Sequence, residues 1–91
     1  MTVIIVTYDL NNPSKDYAPL FTAIQSQGVW WHQLKSTWLI DTEKTPGQIY
    51  EVLRHHLEIS DRILITRMGD GYSGWLTTDA WDWLKTRVKQ V

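Results

Sequence analysis

The chain has 91 residues, no cysteine, and nine basic against ten acidic side chains, which give a formal net charge of -1. This length suffices for one domain with a modest core, and the lack of cysteine excludes a disulfide framework, a thiol nucleophile and a thiolate zinc site. Without a basic surplus, avid sequence-independent binding of duplex DNA is not expected, although a local basic patch is compatible with the count.

The first predicted element is a strand over residues 3–8. It is rich in β-branched residues and apolar at odd and even positions alike, a pattern typical of a strand that is buried on both faces. One helix layer can cover only one of these faces. We therefore expect a partner subunit to cover the other face, and so a homodimer.

A polar turn at residues 11–14 is predicted to lead into the first helix, with Ser14 as its N-cap. Apolar side chains recur at helical spacing at Tyr17, Leu20, Phe21 and Ile24. Gly28 is expected to end this helix, because glycine is favoured just past helix C-termini.

Residues 29–32 and 36–41 predict a second and a third strand, separated by a break at residues 33–35. Thr45, Pro46 and Gln48 have the spacing of a capping box with proline in the first turn, which predicts the start of a second helix. The apolar stripe of that helix is expected to comprise Ile49, Val52, Leu53 and Leu57.

Residues 62–66 predict a fourth strand, and Gly69, Asp70 and Gly71 predict a turn after it. Thr78 and Asp79 are typical of the cap and first turn of a last short helix. Its apolar side is expected to comprise Trp81, Leu84 and Val88. Trp75 and Trp81 are expected to dock this helix onto the domain, whereas the direction of Trp83 is left open.

This order, β-α-β-β-α-β followed by a helix, predicts an α+β ferredoxin-like plait. We expect one domain over residues 1–91, with the plait in 1–67 and a turn and terminal helix in 68–91. The first residues lack the basic lead of a signal peptide, and no apolar run reaches the roughly 20 residues of a membrane helix. A soluble cytoplasmic protein without a membrane partner is therefore predicted.

Asp9 is the main candidate for chemistry, because it directly follows the buried first strand and precedes a polar turn. A carboxylate at the open end of a central strand suits a hard cation such as Mg²⁺ or Mn²⁺. A single carboxylate is a poor metal site unless a two-fold axis brings two copies together. The alternative is that Asp9 accepts hydrogen bonds from the following turn.

Two stretches of the chain resemble the CRISPR-associated adaptation nucleases. Residues 4–10 form a strand that ends in Tyr8-Asp9, followed by a polar loop and a helix, and this is similar to the opening of that family. Residues 36–40, Ser-Thr-Trp-Leu-Ile, are similar to its serine-containing third strand, with Trp38 in place of the usual phenylalanine. Together with Trp30-Trp31-His32, they resemble the SinR-like members more closely. The likeness covers residues 3–66.

The resemblance implies a dimer in which two sheets face each other and paired Asp9 carboxylates hold Mg²⁺ for phosphodiester hydrolysis. The ion would polarise the phosphate and lower the pKa of its bound water, with Ser36 as an auxiliary polar contact. Members of the family can also be non-catalytic and hold DNA for an integrase. The basic start of the first helix in the family is reduced here to Lys15 beside Asp16, which argues against long nucleic acids.

The six tryptophans suggest an aromatic binding site as an alternative. Trp30 and His32 share one side of the second strand and could stack a base and contact its phosphate. The default expectation for Trp30 and Trp31 is nevertheless packing in a core or interface, because they carry a large apolar area. The consecutive His55 and His56 are expected to be structural, because they point about 100° apart on a helix. The candidate residues for binding nucleic acid or a nucleotide are Tyr8, Asn11, Lys15, Trp30, His32, Ser36 and Trp38.

Three functions are compatible with these patterns. The first is a Mg²⁺-dependent endonuclease or phosphodiesterase that acts on RNA or DNA through paired Asp9. The second is a non-catalytic dimer that sequesters or scaffolds a short oligonucleotide or a small nucleotide in an aromatic site. The third is a defence-linked module whose partner is another protein. The sequence favours a metal-dependent function on nucleic acid, because Asp9 is its one specific chemical signal.

Overall fold

The computed structural model of the protein describes residues 2–69 and 71–87. A short 3-10 turn at Arg54–His56 follows the second helix. The regular elements are Thr2–Asp9 (β1), Ala18–Gln25 (α1), Val29–Leu34 (β2), Thr37–Thr42 (β3), Pro46–Leu53 (α2), Arg62–Arg67 (β4) and Thr78–Lys85 (α3). The predicted order of strands and helices is confirmed. The predictions for Asp70 and Val88 lie outside the described residues.

The four strands form one antiparallel sheet in the order β2-β3-β1-β4. In the centre of the sheet, Thr7 of β1 lies opposite Thr37 of β3 and Leu64 of β4. This α+β arrangement is compatible with the ferredoxin-like plait that the sequence predicts. Because β1 runs antiparallel to both neighbours, its C-terminal end at Asp9 lies beside the first residues of β3 and β4.

Helices α1 and α2 cover one face of the sheet, called here the helix face. Alternation along β1 turns every second side chain toward this layer, as expected for an extended strand. The buried residues of this core are Ile4, Val6, Tyr8, Leu20, Ile24, Trp38, Ile40, Ile49 and Leu53. The core therefore joins both central strands to both helices.

Helix α3 packs on the other face of the sheet, called here the outer face. A second apolar cluster there consists of Val3, Trp31, Leu39, Ala80 and Leu84, all buried. The first half of the second side of β1, which was expected to be covered by a partner subunit, is therefore covered by the same chain. Further along β1, the outer face opens to solvent.

An ion pair fastens the end of the α3 segment to the sheet. The Nε of Arg87 lies 3.0 Å from Oδ2 of Asp41 on β3, and both side chains are largely shielded from solvent. The Arg87 guanidinium also lies over the ring of Trp83, 4.4 Å from its centroid. Trp81 and Trp83 are both partly buried against the outer-face cluster. The expectation that Trp75 helps to dock this helix is wrong, because its side chain is almost fully exposed.

The first helix begins later than predicted. Ser14 is not its N-cap, because the helix starts at Ala18 and the Ser14 hydroxyl donates instead to Oδ1 of Asn12, 2.8 Å away. An oxygen of Asp16 accepts a hydrogen bond from the Ala18 amide at 2.9 Å. The local polar turn therefore extends to Asp16 before helical geometry begins.

Gly28 follows the end of α1 by three residues and is required for a different reason from the one predicted. Its backbone is not in the left-handed conformation that ends helices. A Cβ atom at this position would collide with the main-chain oxygen of Asp41. Glycine is needed because β2 enters the sheet in close contact with β3 at this point.

The capping box of α2 is confirmed. Thr45 Oγ1 accepts a hydrogen bond from the Gln48 amide at 3.2 Å, and Gln48 Oε1 accepts one from the Thr45 amide at 2.8 Å. Ile49 and Leu53 are buried, whereas Val52, which was predicted in the same stripe, is exposed. Leu57 lies beyond the end of α2 but is partly buried against the same core, as the stripe predicts.

The cap of α3 lies one residue earlier than predicted, at Thr77, whose hydroxyl oxygen accepts from the Ala80 amide at 3.3 Å. Among the described residues, no helix is long and apolar enough to span a bilayer.

Candidate functional site

Asp9 lies at the end of β1 on the uncovered part of the outer face. It is exposed and sits opposite Arg62 in the register of β4. The two residues line an open groove of about 250 Å³ together with Thr7 and Leu64. Within the described part of the chain, the Asp9 carboxylate accepts no hydrogen bond and forms no ion pair. The Asn11 side chain donates to the main-chain oxygen of Asp9 at 3.4 Å.

One chain supplies few ligands for a metal ion at this position. No group of three or more histidine, cysteine or acidic side chains comes together within residues 2–69 and 71–87. Ser36 is exposed at the same end of the sheet, and its main-chain oxygen accepts the Tyr8 amide at 3.1 Å. Asp9 and Ser36 therefore lie on adjoining strand ends.

A buried carboxylate, Asp61, organises the loops beside Asp9. Its Oδ1 accepts the Asn11 amide at 2.8 Å, and its Oδ2 accepts the Glu58 amide at 2.8 Å. The Tyr17 hydroxyl lies 2.7 Å from Oδ1 and 2.9 Å from Oδ2. One side chain thus joins the loop after β1, the start of α1 and the turn before β4.

The environment of Asp61 stabilises its charged form. Burial alone raises the pKa of this carboxyl, but the two amide hydrogen bonds, the Tyr17 hydroxyl and the nearby Lys15 charge outweigh burial, so that the net pKa is lower than usual. The pKa of Tyr17 is raised by burial and by its hydrogen bond to Asp61. This network is structural, and no spacing rule in the sequence marks Asp61.

Two of the predicted ligand-binding residues serve this network instead. The Asn11 side chain donates to the main-chain oxygen of Ser60 at 2.8 Å. The Lys15 ammonium donates to the main-chain oxygen of His56 at 2.7 Å and lies 3.5 Å from the Glu58 carboxylate. Lys15 is therefore engaged within the chain, and the one cation at the start of α1 is not free for a phosphate.

A stack of aromatic rings forms a second candidate site on the helix face, where β2 is the edge strand. The His32 ring lies parallel to the buried Trp38 ring, with centroids 3.7 Å apart and an interplanar angle of 11°. The Trp30 ring meets Trp38 edge-on at 5.3 Å. Trp30 and His32 therefore share one side of β2, as predicted, and both rest on Trp38.

The lower part of this stack is closed to ligands. The Trp38 indole NH donates to the Tyr8 hydroxyl at 3.0 Å, and the Phe21 ring packs against both residues with centroids 6.1 Å apart. Burial raises the pKa of Tyr8, and the Trp38 hydrogen bond partly opposes this rise. Both side chains are buried, so the structure places these two candidates beneath the surface rather than on it.

The exposed part of the stack is called here the aromatic surface and consists of Trp30 and His32. Trp30 keeps 44% of its area exposed, and His32 is half-buried. A ring nitrogen of His32 lies 3.2 Å from the main-chain oxygen of Lys35 in the β2–β3 turn. The turn next to the aromatic surface therefore contains one lysine. The aromatic surface and Asp9 lie on opposite faces of the sheet.

The predicted site residues thus separate into three places: the Asp9–Ser36 strand ends, the Asp61 loop network and the aromatic stack. No family model, curated protein or solved structure matches the chain. The geometry of these three places therefore carries the functional inference.

Proposed function

We propose that the protein binds short single-stranded nucleic acid, with bases stacking on the aromatic surface of Trp30 and His32. The observation that carries this proposal is the parallel contact between His32 and the buried Trp38, beside a half-exposed Trp30. Aromatic side chains that offer a free ring face are the usual stacking platforms for unpaired bases. RNA, DNA and a small nucleotide all present such a base.

Two features suggest that this surface can bind a nucleic acid without a large rearrangement of the protein. The rings are held in place from below by Trp38, so that little conformational freedom is lost when a base binds. The strand that carries them, β2, is at the edge of the sheet, and an edge strand presents unpaired backbone amides that can donate to phosphate oxygens. The near-neutral net charge limits the number of phosphates contacted, which favours a short oligonucleotide.

Replacing Trp30 by alanine is expected to weaken binding of a short single-stranded oligonucleotide by about tenfold or more, because stacking on an aromatic side chain contributes about 1 to 3 kcal/mol per base. Fluorescence anisotropy with labelled RNA and DNA oligonucleotides of about eight nucleotides measures this effect. Because the net charge of the chain is -1, few phosphates should be contacted, and the affinity should fall by no more than about tenfold between roughly 50 and 200 mM salt.

The matched control is Tyr50→Ala, which removes an equally exposed ring from α2 and should leave the affinity unchanged. Binding that is unaffected by Trp30→Ala, or binding to none of the oligonucleotides and nucleotides offered, would contradict the proposal. A steep salt dependence would point instead to a basic surface elsewhere on the molecule.

A second function is supported by Asp9. We propose that the chain forms a homodimer through the open half of the outer face, and that two Asp9 carboxylates then hold Mg²⁺ or Mn²⁺ for hydrolysis of a phosphodiester. The specific observation in its favour is an exposed carboxylate without a partner in the described chain, beside Thr7 and Leu64. The metal, when bound, would supply the electrophile and a nucleophilic water. This function requires the dimer, whereas stacking on the aromatic surface does not.

For this second function, Asp9→Asn is expected to reduce cleavage of labelled RNA or DNA by at least about 100-fold, since even the residues that hydrogen-bond to metal ligands contribute about 10- to 100-fold. Cleavage is followed with Mg²⁺ or Mn²⁺ present, and light scattering gives the oligomeric state. Asp82→Asn, which changes an exposed carboxylate on α3, is the control. Equal cleavage by the Asp9 variant, or a monomer at micromolar concentration, would rule this function out.

The resemblance to the CRISPR-associated adaptation nucleases and their SinR-like relatives stays a prediction. Either of the two proposed functions would be consistent with it. A role in defence belongs to the same proposal. A cytoplasmic location is proposed from the lack of cysteine, which fits a reducing compartment.

A further inference from the structure

The most exposed aromatic side chain of the described residues is Trp75, with 98% of its area accessible. It lies in the irregular segment between β4 and α3 and borders a groove on the outer face. This groove has a volume of about 350 Å³ and is lined by Trp31, Gln33, Leu34, Trp75, Leu76 and Thr77. The large apolar ring of Trp75 therefore lies outside both cores, and its burial does not stabilise the fold.

The groove and the aromatic surface belong to the same strand. Trp31 follows Trp30 directly in β2, and because neighbouring residues of a strand point to opposite faces, Trp31 lies in the outer-face cluster while Trp30 packs on Trp38. Only the free edge of β2 separates the two places. A single-stranded chain bound at both places would therefore have to cross this edge.

We propose that the groove beside Trp75 is a second base-binding subsite for the same strand, so that the bound nucleic acid wraps around the edge of β2. The inference rests on the proposed binding of single-stranded nucleic acid. It adds the position of a second stacking residue and a minimum length of ligand, because a mononucleotide or dinucleotide would fill one subsite alone.

The lining of the groove suits a base better than an apolar protein side chain. Among its lining residues, Trp75 and Trp31 are aromatic, and Gln33 and Thr77 carry an amide and a hydroxyl. A base needs both kinds of contact, because its faces stack while its edges donate and accept hydrogen bonds. The unpaired backbone amides of β2 lie between the two subsites and can contact the phosphates that join them.

Trp75→Ala is expected to weaken binding of a single-stranded oligonucleotide of about eight nucleotides by about tenfold, as loss of one stacked base would. The same variant should leave the affinity for a dinucleotide unchanged, whereas Trp30→Ala should weaken both. Because Trp75 is almost fully exposed, the variant should fold as the parent does. Photo-crosslinking of a bromouracil-substituted oligonucleotide should label Trp75 in addition to Trp30, and Tyr50→Ala is again the control.

The possible failures are distinguishable. Oligonucleotide binding that depends on Trp30 but not on Trp75, at both lengths, would overturn the second subsite and leave the proposed function intact. Failure of the parent protein to bind any oligonucleotide would remove the proposed function and the subsite together. If Trp75→Ala changes only the concentration dependence of the molecular mass in light scattering, the groove is a protein contact and the inference is wrong.

Discussion

Replacement of Asp61 by alanine is expected to lower the free energy of unfolding by about 3 kcal/mol. The substitution removes the acceptor for the Asn11 and Glu58 amides and for the Tyr17 hydroxyl. A hydrogen bond to a charged group contributes about 1.5 to 3 kcal/mol, and a buried donor without a partner costs about 1 to 3 kcal/mol. Urea unfolding, followed by tryptophan fluorescence near neutral pH, measures the change.

The contribution of Asp61 should also depend on pH. Its pKa is lower in the folded protein than in the unfolded chain, where an aspartate has a pKa of about 3.9. The unfolded state therefore binds more protons than the folded state in acid. The stabilisation by Asp61 is fully present above the unfolded pKa, and it is lost as the pH falls through the lower pKa of the folded state. The difference in free energy of unfolding between the parent protein and the Asp61→Asn variant should therefore become smaller below about pH 4, because asparagine does not titrate.

Asp9→Asn is the matched control, because it alters an exposed carboxylate on a neighbouring element. Its free energy of unfolding should stay within about 0.5 kcal/mol of the parent value, as for other surface substitutions. A loss below about 1 kcal/mol in Asp61→Ala would contradict a role for Asp61 in joining the β1–α1 loop to the turn before β4. A gap that stays constant on acidification would contradict the lowered pKa.

Much of the fold could be predicted because its signals are local. The capping box of Thr45 and Gln48 satisfies backbone amides within one turn, so the sequence spacing alone determines the contact. The strands could be found because β-branched and aromatic runs have few alternative structures. The start of α1 was misjudged because Ser14 and Asp16 both suit a polar turn, and only packing decides where the helix begins.

The cover of the outer face could not be derived in the same way. The sequence correctly indicates that both sides of β1 are apolar, but it does not say which segment supplies the second layer. Ala80 and Leu84 reach Val3 only because the segment after β4 returns across the sheet, and Arg87 then pairs with Asp41. These contacts join residues far apart in the chain. A partner subunit and the terminal helix satisfy the same pattern equally well.

The candidate site shows the same division between local and distant contacts. Strand alternation correctly places Trp30 and His32 on one side of β2, because the period of a strand is fixed. That Trp38 lies beneath them depends on the pairing of β2 with β3, in which Trp30 faces Ile40 and the register shifts after Trp31. Asp61 was missed because two of its partners, Asn11 and Tyr17, lie in a loop more than 40 residues earlier in the chain.

Trp38→Ala is expected to lower the free energy of unfolding by about 3 to 5 kcal/mol, the usual cost of removing a large aromatic side chain from a core. The Trp38 ring is 2% exposed and contacts the rings of Phe21, Trp30 and His32. Its loss also leaves the Tyr8 hydroxyl without the indole donor. Urea unfolding measures this change, and a cost below about 1 kcal/mol would contradict the central place of Trp38.

Trp38→Phe separates the structural role of this ring from its role in binding. Phenylalanine keeps an aromatic floor under His32 but cannot donate to Tyr8, so the expected loss of stability is only about 1 to 2 kcal/mol. Since Trp38 supports the aromatic surface from below and has almost no accessible area, this variant should bind oligonucleotides nearly as well as the parent. Trp30→Ala should show the converse, with a smaller loss of stability and a larger loss of affinity. A Trp38→Phe variant that is stable yet unable to bind would mean that Trp38 contacts the ligand directly, and that the stack opens when a base enters.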